Sequence, residues 1–161
     1  MNIKARARGE EGAAAVEFAL IVGVLAMLIF GMLQFGLAFF QLQNLRAATR
    51  EGARTGAVSG SVADITARVQ QASGISTPFG GSLYIQTVKN GTPTTVPNTP
   101  STTVPCATVN DVTPDSVIAG IDLTSSSLPQ GLQNIFTVDI PLLPTIDLRQ
   151  SQVEGEFRCE S

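Results

Sequence analysis

Glu17 is the one ionisable side chain in the apolar run Ala13–Phe40, 28 residues in which Gln34 is the only other polar group. At the centre of a membrane helix a carboxylate costs about 2.5–3.5 kcal/mol on insertion scales, so something must compensate for it. Two compensations fit. Glu17 lies in the first turn of the run, where the positive end of the helix dipole and nearby headgroup water tolerate a negative charge. Alternatively, it pairs with a cation supplied by a neighbouring subunit. Three other sets of side chains could do chemistry. Cys106 and Cys159 are the only thiols. Arg46, Arg50 and Arg54 are spaced by four and share a helix face; they could hold phosphate headgroups or an acidic partner, against a default of a solvated face. Asp111 with Asp115, or Asp122 with Asp139, could take calcium in loops, but scattered surface acids are far commoner, and no metal is expected.

Composition removes much of the rest. The 161 residues include no His, no Trp and a single Tyr84. His is the side chain that most often moves protons near neutral pH and ligates catalytic metals, so Ser-His-Asp, Cys-His and His-based zinc chemistry are excluded. The chain has no G-x-S-x-G, P-loop or C-x-x-C pattern. An enzyme therefore ranks behind a structural or binding role, and no cofactor is called for. Residues 61–161 hold four cations, Arg68, Lys89, Arg149 and Arg158, against nine carboxylates. That balance repels nucleic acid, which is not an expected partner.

The elements that would position these groups follow from the apolar pattern. At 1.5 Å per residue the run 13–40 makes a helix of about 42 Å, enough to cross a hydrocarbon core of about 30 Å with tilt. A secretory signal normally has a shorter apolar region before an A-x-A-like site, and Gly36-Leu37-Ala38 is the only hint of one. Lys4, Arg6 and Arg8 precede the run, in a segment too short to form a domain. The positive-inside rule then leaves the N-terminus in the cytoplasm. Arg46, Arg50 and Arg54 argue the other way, but they begin several residues past the run and have Glu51 among them. Both cysteines lie on the distal side, where an oxidising exterior would let them pair and stabilise the domain by roughly 4 kcal/mol; two unpaired thiols are the alternative.

Ala15, Ala19 and Gly23 recur every four residues and Gly31 falls eight further on, a stripe where another helix could approach closely, although small residues are common in any membrane helix. Beyond Phe40 the pattern stays helical to about Arg54, forming a stalk. Gly52, Gly56 and Gly60 weaken the helix and invite a break. Val62–Ala72 is expected as a second short helix with Ser61 as N-cap.

Leu83–Val88 has strand composition and leads into Asn90-Gly91, a hairpin turn signal. The stretch 92–105, with four Pro, reads as a loop or a sheet edge. Asn90-Gly91-Thr92 fits the N-glycosylation pattern, a weak signal for that modification here. Further strands are expected at Asn134–Ile140 and Gln152–Arg158, with Pro141-Leu142-Leu143-Pro144 interrupting the pairing.

The surroundings of Glu17 separate the two readings left open above. Gly12-Ala13-Ala14-Ala15-Val16-Glu17-Phe18 places a Gly between a short basic leader and the apolar run, with Glu five residues later, and resembles a prepilin cleavage site. In type IV pilin-like proteins a membrane peptidase cuts after such a Gly, and the Glu at the fifth mature position serves assembly. The resemblance implies a mature chain beginning at Ala13, whose new ammonium would partner the Glu17 of an adjacent subunit. Ala14–Leu20, Phe35-Gly36 and Ala47–Arg54 together are similar to the TadE-like family, the minor pilins or pseudopilins of tight-adherence (Tad) pili, over roughly residues 9–58. Gln34 stands where members often carry Glu. The distal part matches only in style, which leaves both TadE-like proteins and their TadF siblings open.

The expected protein is therefore α+β, a long N-terminal transmembrane helix continuing into a stalk and then a small antiparallel β domain. Residues 1–12 would be a cytoplasmic leader, 13–40 the transmembrane helix, 41–73 the stalk and short second helix, and 74–161 a β-rich exterior domain with the Thr/Pro-rich loop 92–105. By the resemblance its partners are membrane lipid, other pilin or pseudopilin subunits of the Tad system and a prepilin peptidase. It would sit in the inner membrane with its C-terminal domain outside, or enter a pilus. The rival reading is an unprocessed, single-pass anchored exterior domain that binds a ligand through the Thr/Pro loop.

Overall fold

A computed structural model describes residues 7–97, 102–108, 113–138, 145–147, 149 and 152–160. One helix, α1 (Ala7–Ala57), accounts for 51 of them. It contains no Pro, and Ala, Leu and Met are frequent along it, so nothing interrupts the backbone ladder. From Gly12 to Leu37 it has no fully buried residue, and the first is Ala38. The upper part, through Leu45, Ala48, Thr49, Ala53 and Ala57, packs on the rest of the molecule.

The helix ends just beyond Ala57. The N–H of Gly60 donates to Thr55 O at 2.9 Å, and Ser59 takes a left-handed φ of 69°. This 6→1 bond is the closing bond of a Schellman motif. The expected weakening at Gly52 and Gly56 does not occur: both lie inside α1, against α2 (Val62–Ser73), where a Cβ would collide with Val69 or Ile65 side chains. They are glycines because two helices touch there. Ser61 caps α2 as expected, in a full capping box with Asp64: its hydroxyl accepts from the Asp64 N–H at 3.2 Å, and its own N–H donates to the Asp64 carboxylate at 2.9 Å.

Strands β1 (Leu83–Lys89), β2 (Thr92–Val96), β3 (Ser116–Asp122) and β6 (Gln152–Arg158) form an antiparallel sheet in the order β2-β1-β3-β6. Asn90 and Gly91, with φ of 50° and 75°, make the two-residue turn between Lys89 and Thr92. The first residues of the Thr/Pro stretch are thus an edge strand, where Pro93 is tolerated. Alternate residues of the sheet face the helices: Leu83 and Ile85, then Val117, Ala119 and Ile121, then Val153 are all buried. This period-two burial and the helical spacing of α1 and α2 build one core between a sheet and two helices.

Two findings depart from the sequence reading. Asn134–Phe136, expected as the start of a strand, closes the helix α3 (Gln130–Phe136), and only Thr137–Val138 are strand, β4, paired with β5 (Ile146–Asp147). Leu132 and Phe136, one turn apart, are both buried, so the helical period rather than alternation is used there. Asp139, Ile140 and the Pro141–Pro144 segment lie outside the described residues. The second is β3, the strand between β1 and β6, for which no strand was expected.

Candidate functional site

The candidate site is the lower part of α1. Gly12 and Ala13 lie inside the helix, which begins at Ala7. A Cβ at Gly12 would meet nothing within 4 Å, and the same holds at Gly23 and Gly36. Packing among the described residues therefore does not require Gly12, in contrast to Gly52 and Gly56. Glu17 is exposed and has no hydrogen bond or ion pair among the described residues. It stands four residues after Ala13, so the two are neighbours on one helix face. Ala15, Ala19 and Gly23 are likewise exposed, and Gly31 is partly so; the protein's own folded domain covers none of the stripe completely. Among the described residues α1 is long and apolar enough to cross a membrane by length and composition.

Further up, Arg46, Arg50 and Arg54 are exposed and make no ion pair among the described residues. Glu51, which stands in their midst in the sequence, pairs instead with Arg68 of α2 at 2.7 Å. That hydrogen bond, reinforced by the charges of Arg68 and Arg54, holds the Glu51 carboxyl below its ordinary pKa. The row of arginines is therefore exposed and makes no direct ion pair with Glu51, whose carboxylate is held by Arg68.

The distal domain is tied to the top of the stalk. Cys106 and Cys159 form a disulfide, with Cα atoms 5.5 Å apart across a sequence separation of 53. It joins the end of the Thr/Pro segment to the residue after β6, as the sequence suggested. The Val62 N–H donates to Thr103 O at 2.9 Å, and the Glu160 N–H to Ala57 O at 3.2 Å, so both partners of the bridge are held at the α1–α2 corner. Asp115 and Asp122 serve turns: Asp115 accepts from the Asn90 N–H at 2.6 Å, and Asp122 from the Thr124 N–H at 2.8 Å. Asp111 and Asp139 lie outside the described residues. No group of three or more metal-ligating side chains occurs among the described residues.

Sequence reasoning missed one feature of this region, the contact of α3 with α1 around Ala38. The signal available was the helical spacing of Leu128, Leu132 and Phe136, all buried.

Residues 12–54 match the family described as TadE-like protein. No curated protein and no solved structure matches the chain. The matched segment contains Gly12, Ala13, Glu17, the small-residue stripe and the arginine row, and stops short of α2, the sheet and the disulfide. TadE-like proteins are pilin-like structural proteins connected with the Tad pilus. Over residues 12–54, about a quarter of the chain, the sequence is similar to the TadE-like family, and among the described residues this segment lies on one N-terminal candidate membrane helix with a small α+β domain behind it.

Proposed function

We propose that the protein is a minor pilin or pseudopilin that takes part in assembling a Tad pilus and is cut after Gly12 by a prepilin peptidase. The observation that carries this is the occurrence together of Gly12, which no packing demands among the described residues, and Glu17, which has no partner among them either. Both lie within the segment that matches the TadE-like family. In this reading Lys4, Arg6 and Arg8 stay in the cytoplasm and the sheet domain lies outside the inner membrane. Cleavage creates an ammonium at Ala13. In a bundle of such helices that ammonium neutralises the Glu17 of an adjacent subunit, which removes the cost of a lone carboxylate in hydrocarbon. The stripe Ala15, Ala19, Gly23 and Gly31 lets the neighbouring helix come close. The role is structural, and its partners are membrane lipid, other pilin-like subunits and the peptidase.

The test is the intact mass and N-terminal sequence of the protein from membranes, with and without its prepilin peptidase. A start at Ala13 that depends on the peptidase and disappears in Gly12→Leu supports processing. A start at Met1 in both strains sinks it and leaves an anchored, unprocessed exterior domain. A start near Gln41 would instead reveal a cleaved secretory signal. Glu17→Ala should leave cleavage intact and abolish incorporation with the other subunits, read by co-purification.

A further inference from the structure

Where α1 passes from its bare stretch to its packed one, α3 leans on it and leaves a groove of about 210 Å3 lined by Phe35, Ala38, Phe39, Leu42 and Phe136. Every lining residue is apolar. The groove opens onto the exposed apolar surface that runs down the helix, to which Phe35 and Phe39 themselves belong. It is therefore continuous with the surface that, on the membrane reading of α1, already faces lipid.

Phe35, Phe39, Leu42 and Arg46 follow one another at intervals of four, three and four, which puts them on one face of the helix. Arg46 stands about 6 Å beyond Leu42 along the axis. It is exposed and without an ion pair among the described residues, and the carboxylate nearest to it in sequence, Glu51, is engaged by Arg68 at 2.7 Å. An apolar slot with an uncommitted cation above it is complementary to an acyl chain with a phosphate above it. A guanidinium can also give two parallel N–H donors to phosphate oxygens, which fixes the headgroup as well as attracting it.

We propose that this face binds an anionic phospholipid of the leaflet from which the stalk emerges, with an acyl chain in the groove between α1 and α3 and its phosphate on Arg46. The site would hold the distal domain at a set height above the bilayer. The inference rests on the reading that α1 spans the membrane, and the experiment separates the two.

The full chain is placed in nanodiscs made of equal amounts of phosphatidylcholine and phosphatidylglycerol, with p-benzoylphenylalanine in place of either Phe39 or Leu25. Lipid adducts formed on illumination are identified by mass. Leu25 should yield both lipids in the bulk ratio. Phe39 should yield phosphatidylglycerol enriched by about threefold, the size that one exposed ion pair supports, and Arg46→Gln should return that ratio to the bulk value. A bulk ratio at Phe39, or an enrichment that Arg46→Gln does not change, overturns the lipid site while the Leu25 adducts keep the span. Adducts at Phe39 with protein alone overturn it in favour of a subunit contact. Absence of lipid adducts at Leu25 overturns the span, and the lipid site with it.

Discussion

Gly155 of β6 lies directly on the backbone of Arg50 in α1: a Cβ at position 155 would stand 2.5 Å from the Arg50 amide nitrogen. Gly155 pairs across the sheet with Ala119, and Ala119 with Ile85, so the cross-strand row grows smaller toward the strand that touches the helix. The sheet is thereby clamped to the stalk, since β6 packs directly on the backbone of α1. Gly155→Ala forces the strand or the helix to shift, because the obstacle is backbone and cannot rotate away. Overpacking of this kind costs about 1–3 kcal/mol. Thermal unfolding of the detergent-solubilised chain, followed by near-ultraviolet circular dichroism of Tyr84, should show a lower midpoint for Gly155→Ala and none of that loss for Gly23→Ala, where a Cβ meets nothing.

Ser59 ends α1 with a φ of 69°, a conformation that L residues other than Asn and Asp seldom adopt. Glycine removes the steric penalty of the left-handed conformation at the helix end. Ser59→Gly should raise stability by about 0.5–1 kcal/mol. Gly60→Ala should do the reverse, since its Cβ would sit 2.5 Å from Thr55 O. Denaturant midpoints of the two variants moving in the same direction would refute this account of the corner.

The disulfide closes a long loop, with a sequence separation of 53. On the chain-entropy model such a closure contributes about 4 kcal/mol. Reduction, or the double change Cys106→Ala with Cys159→Ala, should lower the unfolding midpoint of the distal domain steeply and leave the far-ultraviolet signal of α1 largely in place. An unchanged midpoint under reducing conditions would show that the corner made by Thr103, Glu160 and α2 holds without the bridge.

Tyr84 is the only tyrosine, and there is no Trp, so its ionisation is spectroscopically clean. Its ring lies over Gly120 and its hydroxyl donates to the Glu154 carboxylate at 2.5 Å. Burial first, and then the hydrogen bond and the charge of Glu154, push its pKa well above the ordinary value of 10. The sign follows: the folded state holds the phenol proton more tightly than the unfolded chain does, so this contribution is complete below about pH 10 and is lost as pH rises further. In a rapid pH jump, absorbance near 295 nm should stay un-ionised at pH 11 in the folded protein. Glu154→Gln should bring ionisation to lower pH.

Much of the architecture could be read from local patterns. The length of α1, the capping box at Ser61, the Asn90-Gly91 turn, and the strands Leu83–Lys89 and Gln152–Arg158 each depend on residues within a turn or two of one another. With only two cysteines, the sequence also left a single possible intrachain disulfide. Gly12 and Glu17 were legible for the same reason, since a break in composition and a lone carboxylate in an apolar run are visible without a fold.

Tertiary contacts decided the rest. Gly52 and Gly56 read as helix breakers until α2 is laid against them, and then their missing side chains are the fit. Ser116–Asp122 contains Gly120 and offers no clear alternation, yet it is held on both edges by β1 and β6. Asn134–Phe136 has residues suited to a strand, and the burial of Leu132 and Phe136 on one face selects a helix instead. The boundary at Ala38 is likewise invisible in a continuous apolar run, because only the docking of α3 distinguishes the part of α1 that meets protein from the part left bare. Local sequence sets which conformations are cheap, within about 1 kcal/mol per residue. Burying a face against a distant segment is worth more than that, so the choice falls to contacts that no short window contains.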